Sequence, residues 1–398
     1  MNELAHPIAS AALRGRAGEE FRRLGERVAR EWQACGRAPA RFVDIAAEAL
    51  RDAAPWRGFD LGRLLAEVAH VPAEVRRPGA IFSDLPLIFY EDDLFRVELL
   101  IWTDSTTKVH DHGFSGAFAL LQGSSLQCSY DFSGPSPATA QFALGSLLLA
   151  DIALLKCGTV VEILPAPDFI HSAFHLESPT ATLVIRTLRD ATDLPQREYY
   201  APNVAIASEP TDQMPLVTAE ALAMLARIDA EAAVARIVEM AGTAPAETLF
   251  RTFDRIPWHT LDREPTLRAY NALLGRPEGS ALLEALRRKL WVERLIGLRD
   301  KLTTAEQRLV LGGLAALDDR DLLIDLLAAG GVAEPEALVA ECILAAAGID
   351  GPTSKGDAAA LRAALADHGR LPAEAAHLVA SAGDPFARLF RDPPPELN

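Results

Sequence analysis

Two histidines one residue apart, His110 and His112 in TTKVHDHGFSGAF, are the residues of this chain best placed to do chemistry. On a strand, residues i and i+2 face the same side. Two imidazoles then sit side by side at a spacing suited to one metal ion. Asp111 points the other way, and Gly113 frees the backbone to turn. A third ligand must come from elsewhere, and PAPDFIHSAFHLESPTATLVIRT offers His171 and His175. His171 is the preferred ligand. His175 is the alternative ligand, or a catalytic acid/base or hydrogen-bond partner near the metal. An H-x-H pair alone also describes two ordinary sheet histidines, so its weight comes from its surroundings.

Those surroundings read as strands. Between about residues 80 and 190, short β-branched and aromatic runs recur: LIFYEDD, FRVELLIW, TKVHDHG, GAFALLQG, SLQCSYDF, SLLLADIALL, TVVEIL and ATLVIRT. Gly, Ser, Pro and Asp punctuate them, the pattern of an antiparallel sandwich or barrel. GAFALLQG reads as a Gly-bounded hairpin, and residues 133–140 as a loop. Helical spacing precedes this region in EEFRRLGERVAREW, RFVDIAAEALRDA and LGRLLAEVAHV, with a break at Gly36 to Pro39. Ala/Leu-rich helical pattern follows it, with breaks near Gly242, Pro277, Gly330, Gly351 and Pro372. The predicted class is α+β: a helical segment over 1–79, an antiparallel β-barrel over 80–205 and an all-α domain over 213–398. DPPPELN reads as a frayed tail.

The stretch LFRVELLIWTDSTTKVHDHGFSGAFALLQGSSLQCSYDF resembles the core of cysteine dioxygenase and related thiol dioxygenases of the cupin superfamily. Trp102, the His110-Asp111-His112 pair and Leu121-Gln122-Gly123 carry the likeness, and His171 stands where the family's third ligand would. The resemblance spans about residues 86–190. It implies a cupin-type barrel holding Fe(II). It also has departures. The family's carboxylate-binding arginine is absent from Pro86-Leu87-Ile88-Phe89. Ala117 stands where some members carry a crosslinked cysteine, and Thr187 and Ile185 stand at the tyrosine and histidine positions. No cupin-type glutamate follows His112. A three-histidine site is the simplest result, and free cysteine is an unsuitable substrate. Three histidines also suit zinc, so the choice of iron rests on the resemblance.

Lys108 lies two residues before His110 and, on a regular strand, faces the same interior. It can meet a substrate carboxylate or phosphate there, or simply snorkel to water. Arg96 and Arg186 are candidate replacements for the missing arginine, and Phe114 and Tyr130 are candidates to shape the cavity mouth. Trp258-His259 reads as a helix-start loop, and the run from Asp318 to Asp321 as solvated or capping.

A formal net charge of −16 argues against a general nucleic-acid or anionic-membrane partner. No apolar run reaches transmembrane length, and the N-terminus lacks a signal core. Four scattered cysteines, Cys35, Cys128, Cys157 and Cys342, suggest thiols in a reducing cytoplasm, although Cys128 and Cys157 would meet if their strands were neighbours.

The expected activity is an Fe(II)-dependent oxygenase acting on a small thiol- or amino-acid-derived molecule with dioxygen. The alternatives are a non-oxidative metal-dependent isomerase or lyase, and a non-catalytic sensor or scaffold. The helical domain is expected to support a homodimer or a protein partner.

Overall fold

The computed structural model of the chain describes residues 16–69, 83–103, 106–136, 139–190, 194–349, 355–366, 373–382 and 384–390. Three helices open it: α1 (Arg16–Ala34), α2 (Pro39–Ala53) and α3 (Leu61–Ala69). The break falls where Gly36 takes a positive φ of 70° and Pro39 starts α2. Phe21, Leu24, Val28 and Trp32 form the buried stripe of α1, at spacings of three and four residues.

Eleven strands follow: β1 (Leu85–Glu91), β2 (Phe95–Trp102), β3 (Gly116–Gln122), β4 (Ser124–Ser133), β5 (Phe142–Leu144), β6 (Ser146–Lys156), β7 (Val160–Ile163), β8 (Ile170–His175), β9 (Thr180–Thr187), β10 (Arg197–Tyr200) and β11 (Val204–Ala207). They form a five-stranded sheet, β1-β2-β9-β3-β7, and two three-stranded sheets, β6-β4-β8 and β10-β11-β5. All recorded pairings are antiparallel.

Side-chain alternation assigns the faces of the five-stranded sheet. Phe95, Val97, Leu99, Ala117, Ala119, Leu183 and Ile185 pack under α1 and α2. Glu98, Leu100, Trp102, Phe118, Leu120, Thr182, Val184 and Arg186 face a cavity on the other side. Across that cavity lies the β6-β4-β8 sheet. The chain passes from one sheet to the other at Gly123, whose φ is +85°. A Cβ there would lie 2.6 Å from Thr180 Oγ1. GAFALLQG is therefore strand β3 ending in a sheet-crossing corner, not the hairpin its sequence suggests: β3 pairs with β7 and β9, and β4 with β6 and β8.

Two further expectations are corrected. TKVHDHG is not a regular strand; within it only His110 makes bridges, one to His171 and one to Glu198. No closed barrel forms among the described residues. The irregular 107–111 segment joins β8 to β10 through a few bonds: Thr107 N to Ala173 O, His110 N to His171 O and Tyr199 N to Val109 O. Helices α1 and α2 contact the edge strands β1 and β7, which removes the need to close the sheet on itself.

The remaining chain is helical: α4 (Met214–Ile228), α5 (Ala230–Ala241), α6 (Ala246–Arg255), α7 (Arg263–Leu274), α8 (Gly279–Gly297), α9 (Ala305–Ala316), α10 (Arg320–Ala329), α11 (Pro335–Ala346), α12 (Lys355–Ala366), α13 (Ala373–Ala382) and the short α14 (Asp384–Ala387). Trp258–Thr260 is a single 3-10 turn, and Asp319 caps α10 by accepting from the amides of Asp321 and Leu322. Gly242 and Gly330 end α5 and α10 as the sequence pattern suggests. Gly351, Pro372, the tail from 391 and the first residues lie outside the described residues. No helix among the described residues is long and apolar enough to cross a membrane.

These helices share cores with the sheets. Leu126, Cys128 and Phe174, on the outer faces of β4 and β8, pack with Trp291, Leu295, Leu311 and Leu314. Phe142, Val204 and Ile206 pack with α4 to α8. At Gly312 the fit is tight, because a Cβ there would lie 3.2 Å from the Phe174 ring.

Phe174→Ala is expected to cost about 3–5 kcal/mol, read as a lower denaturant midpoint at unchanged slope. A loss under about 1 kcal/mol would show that the helices dock only loosely on the sheet.

Candidate metal centre

The site is built on backbone pairing. His110 N donates to His171 O at 2.8 Å, and His171 N donates to His110 O at 2.9 Å. Residues that exchange both bonds stand directly opposite, with side chains on one face. The two rings are accordingly 4.8 Å apart between centroids. His112, two residues on, completes the set at 4.7 Å from His110 and 5.0 Å from His171. One nitrogen from each ring lies within 4.8 Å of the others. Bonds of about 2.1 Å to one ion need nitrogens no more than about 4.2 Å apart, so the rings would draw together by up to about 0.6 Å on binding.

Asp111 points away from the cavity, as its position in H-x-H predicts. Its carboxylate accepts from Arg197 N at 2.6 Å and from the Tyr199 hydroxyl at 2.7 Å. These bonds tie the irregular segment to β10.

The nitrogens fit a cation. His110 Nδ1 lies 2.8 Å from the carbonyl of Lys108. A carbonyl only accepts, so Nδ1 carries the proton and Nε2 keeps its lone pair. Nδ1 of His112 and Nδ1 of His171 are buried without a hydrogen-bond partner. Buried polar atoms are rarely left so, and a ligand set needs only one nitrogen from each ring. Burial pushes all three pKa values down. The neighbouring rings and Arg186 push His112 further, while the Lys108 carbonyl and Glu198 partly oppose the shift at His110. The rings are therefore neutral at pH 7, the form that binds metal.

The triad opens into a cavity of about 460 Å³. Phe114 lines it and sits edge-on to His112 at 4.8 Å. Arg186 lines it too, with its guanidinium 4.5 Å over the Phe114 ring. Its Nε donates to Glu98, an almost fully buried carboxylate that the sequence reading passed over. Glu98 breaks the apolar run FRVELLIW and was visible on that account. Arg186 and Glu98 sit on adjacent strands, diagonal to one another in the register. Arg96 does not line the cavity; it pairs with Glu91 at 3.0 Å and lies 3.7 Å from Glu98. Lys108 stands at the mouth, largely exposed, bound to Glu198 at 2.9 Å. Tyr130 packs on the outer side of β4, not in the cavity. Ala117, Ile185 and Thr187 likewise do not line it, so the residue that reaches the cavity at that end of β9 is Arg186.

His175 stands outside this group. It lies four residues beyond His171 on β8, roughly 13 Å along the strand, at the far end of the same cavity. Its Nδ1 meets Ser125 Oγ at 2.8 Å, and its ring stacks on Trp102 at 4.7 Å. Nε2 is buried without a hydrogen-bond partner. Burial, aided by Arg299, pushes its pKa down to about 3. All four cysteines are free thiols, Cys128 and Cys157 included.

No family model matches this chain, and no curated protein matches it.

Metal analysis of purified protein is expected to find about one divalent ion per chain. His112→Ala and His171→Ala are each expected to reduce it at least about tenfold, while His175→Ala retains it. Loss of metal in His175→Ala alone would reassign the third ligand. His175 also sets a pH dependence. Its folded pKa lies below the ordinary value of 6.5, so the unfolded chain binds the extra proton between about 3 and 6.5. Its contribution to stability is full above pH 6.5 and is lost as pH falls toward 3. Between pH 7 and 5 the wild type is expected to lose about 2 kcal/mol more than His175→Gln in denaturant titrations. Parallel losses would show that the ring is already protonated, or solvated, in the folded state.

Proposed function

We propose that this chain is a mononuclear non-haem Fe(II) oxygenase with a centre like that of thiol dioxygenases, set between two facing sheets in a cupin-like arrangement. The observation that carries this reading is the set of three neutral imidazoles, two buried and one half-buried, with no carboxylate among them, facing an open cavity. Bound to three neutral ligands, Fe(II) supplies its full dipositive charge and open positions for an anionic substrate group and dioxygen.

The chain's own residues then define what enters. Leu100, Phe118, Leu120 and Val184 make the walls apolar and limit stray water. Arg186, held by Glu98 and by the Phe114 face, sets a fixed positive group beside His112. Because Glu98 already balances its charge, the site does not demand a free carboxylate there. This supports a substrate other than free cysteine. His175 faces the opposite end as a neutral ring with one uncommitted nitrogen. An elongated thiol- or amine-headed substrate with an apolar middle and a neutral hydrogen-bonding tail, an amide or hydroxyl, suits that layout. Holding such a molecule by both ends makes the reaction at its head effectively intramolecular.

The test is an oxygen electrode with the iron-reconstituted protein and a panel of small thiols, aminothiols and their N-acyl derivatives. The expected result is thiol-dependent oxygen uptake, product heavier by two oxygen atoms, and loss of at least about 100-fold in rate in His110→Ala. Metal-dependent turnover without oxygen uptake would replace this reading with a non-oxidative reaction at the same centre. Full biological activity in a variant lacking both His110 and His112 would make the β-sheet region a scaffold.

A further inference from the structure

Helix α4 carries an apolar stripe on the side away from its own core. Ala219, Leu222, Ala223 and Ala226 are buried against the sheet and neighbouring helices. On the opposite side Met214, Val217, Met224 and Ile228 are 61%, 54%, 63% and 84% exposed, and Ala221 between them is exposed too. Single exposed apolar residues are ordinary. These five recur at alternating intervals of three and four, the a and d positions of a heptad seam. Such a seam is the surface of a helix that packs against another helix.

We propose that the occupant is α4 of a second copy of this chain, packed antiparallel about a two-fold axis near residues 221 to 224. The charges flanking the seam select this arrangement. With Ala221 facing Met224 of the partner subunit, Val217 faces Ile228 of the partner subunit. On one flank Glu220 then meets Arg227 of the partner subunit, and the two-fold makes that contact twice. On the other flank Thr218 meets Leu225 of the partner subunit, an uncharged pairing. A parallel pairing would set Glu220 against Leu225 of the partner subunit and give neither charge a complement across the interface. Within its own chain Glu220 lies 3.4 Å from Arg255, both about half exposed, so a partner arginine would extend an existing pair.

A helix of 15 residues is about 22 Å long. That contact is smaller than a standard stable interface, so the dimer is concentration-dependent. This inference does not rest on the proposed chemistry.

Sedimentation of the full chain from about 1 to about 200 µM tests it. The expected result is reversible conversion from 42.9 kDa to twice that mass, with a dissociation constant of about 1–100 µM. Val217→Glu with Ile228→Glu is expected to weaken it at least about tenfold. Glu220→Arg alone is expected to weaken it about threefold or more, and adding Arg227→Glu to restore it. All four positions are on the helix surface, so melting temperature and circular dichroism report whether the variants stay folded. A single 42.9 kDa species at every concentration overturns the proposal, whether the seam serves a different protein or this chain's own terminal residues. A dimer indifferent to Val217→Glu with Ile228→Glu places the interface elsewhere. A double charge swap no better than the single one refutes the antiparallel register.

Discussion

The reciprocal pair of backbone hydrogen bonds between His110 and His171 is what the rest of the site depends on. It brings together residues 61 positions apart and fixes the faces of both. Two of the three candidate ligands are a directly opposed pair, and the third, two residues on in an irregular segment, has its ring 4.7 Å from that of His110. β8 is in turn held by β4, where Ser129 pairs with His171 and Ser125 with His175. The distance between the triad and the far end of the cavity is therefore a property of one strand. Side-chain packing refines the arrangement, but the ladder sets it.

The protein sustains an energetic cost at this place. Three imidazoles sit close together in a desolvated pocket, and two of them have a buried nitrogen with no hydrogen-bond partner. Each unsatisfied group of this kind costs about 1–3 kcal/mol. Surrounding structure bears that cost: Asp111 is bound twice to β10, the Lys108 carbonyl holds the proton of His110, and the Phe114 and Phe169 rings flank His112. His175 presents the same kind of deficit beyond reach of the triad.

Much of this was legible in the sequence because period and punctuation are local. The first helices, the FRVELLIW and ATLVIRT strands and the break before Pro39 are stated by their own residues. The H-x-H pair does come together with His171, although its premise of a regular strand was not met: its neighbours pair too sparsely to make a ladder. What was not legible depends on pairing between distant segments. Gly123 looks like a hairpin residue, and nothing local tells that β3 and β4 belong to different sheets. β8 was missed because IHSAFH is short and does not alternate polar and apolar residues, being buried on both faces. The choice of Arg186 over Arg96 follows from side-chain reach, since both alternate onto the same face of their strands. A one-residue offset also hid the fact that Ile185 and Thr187 point away from the cavity.

The central claim is that three imidazoles converge on one cation. Diffraction from crystals loaded with zinc, recorded at the zinc absorption edge, tests it directly. The account predicts a single strong anomalous peak about 2.1 Å from one nitrogen of each of His110, His112 and His171. A peak at His175, or one contacting fewer than three of those rings, would contradict it.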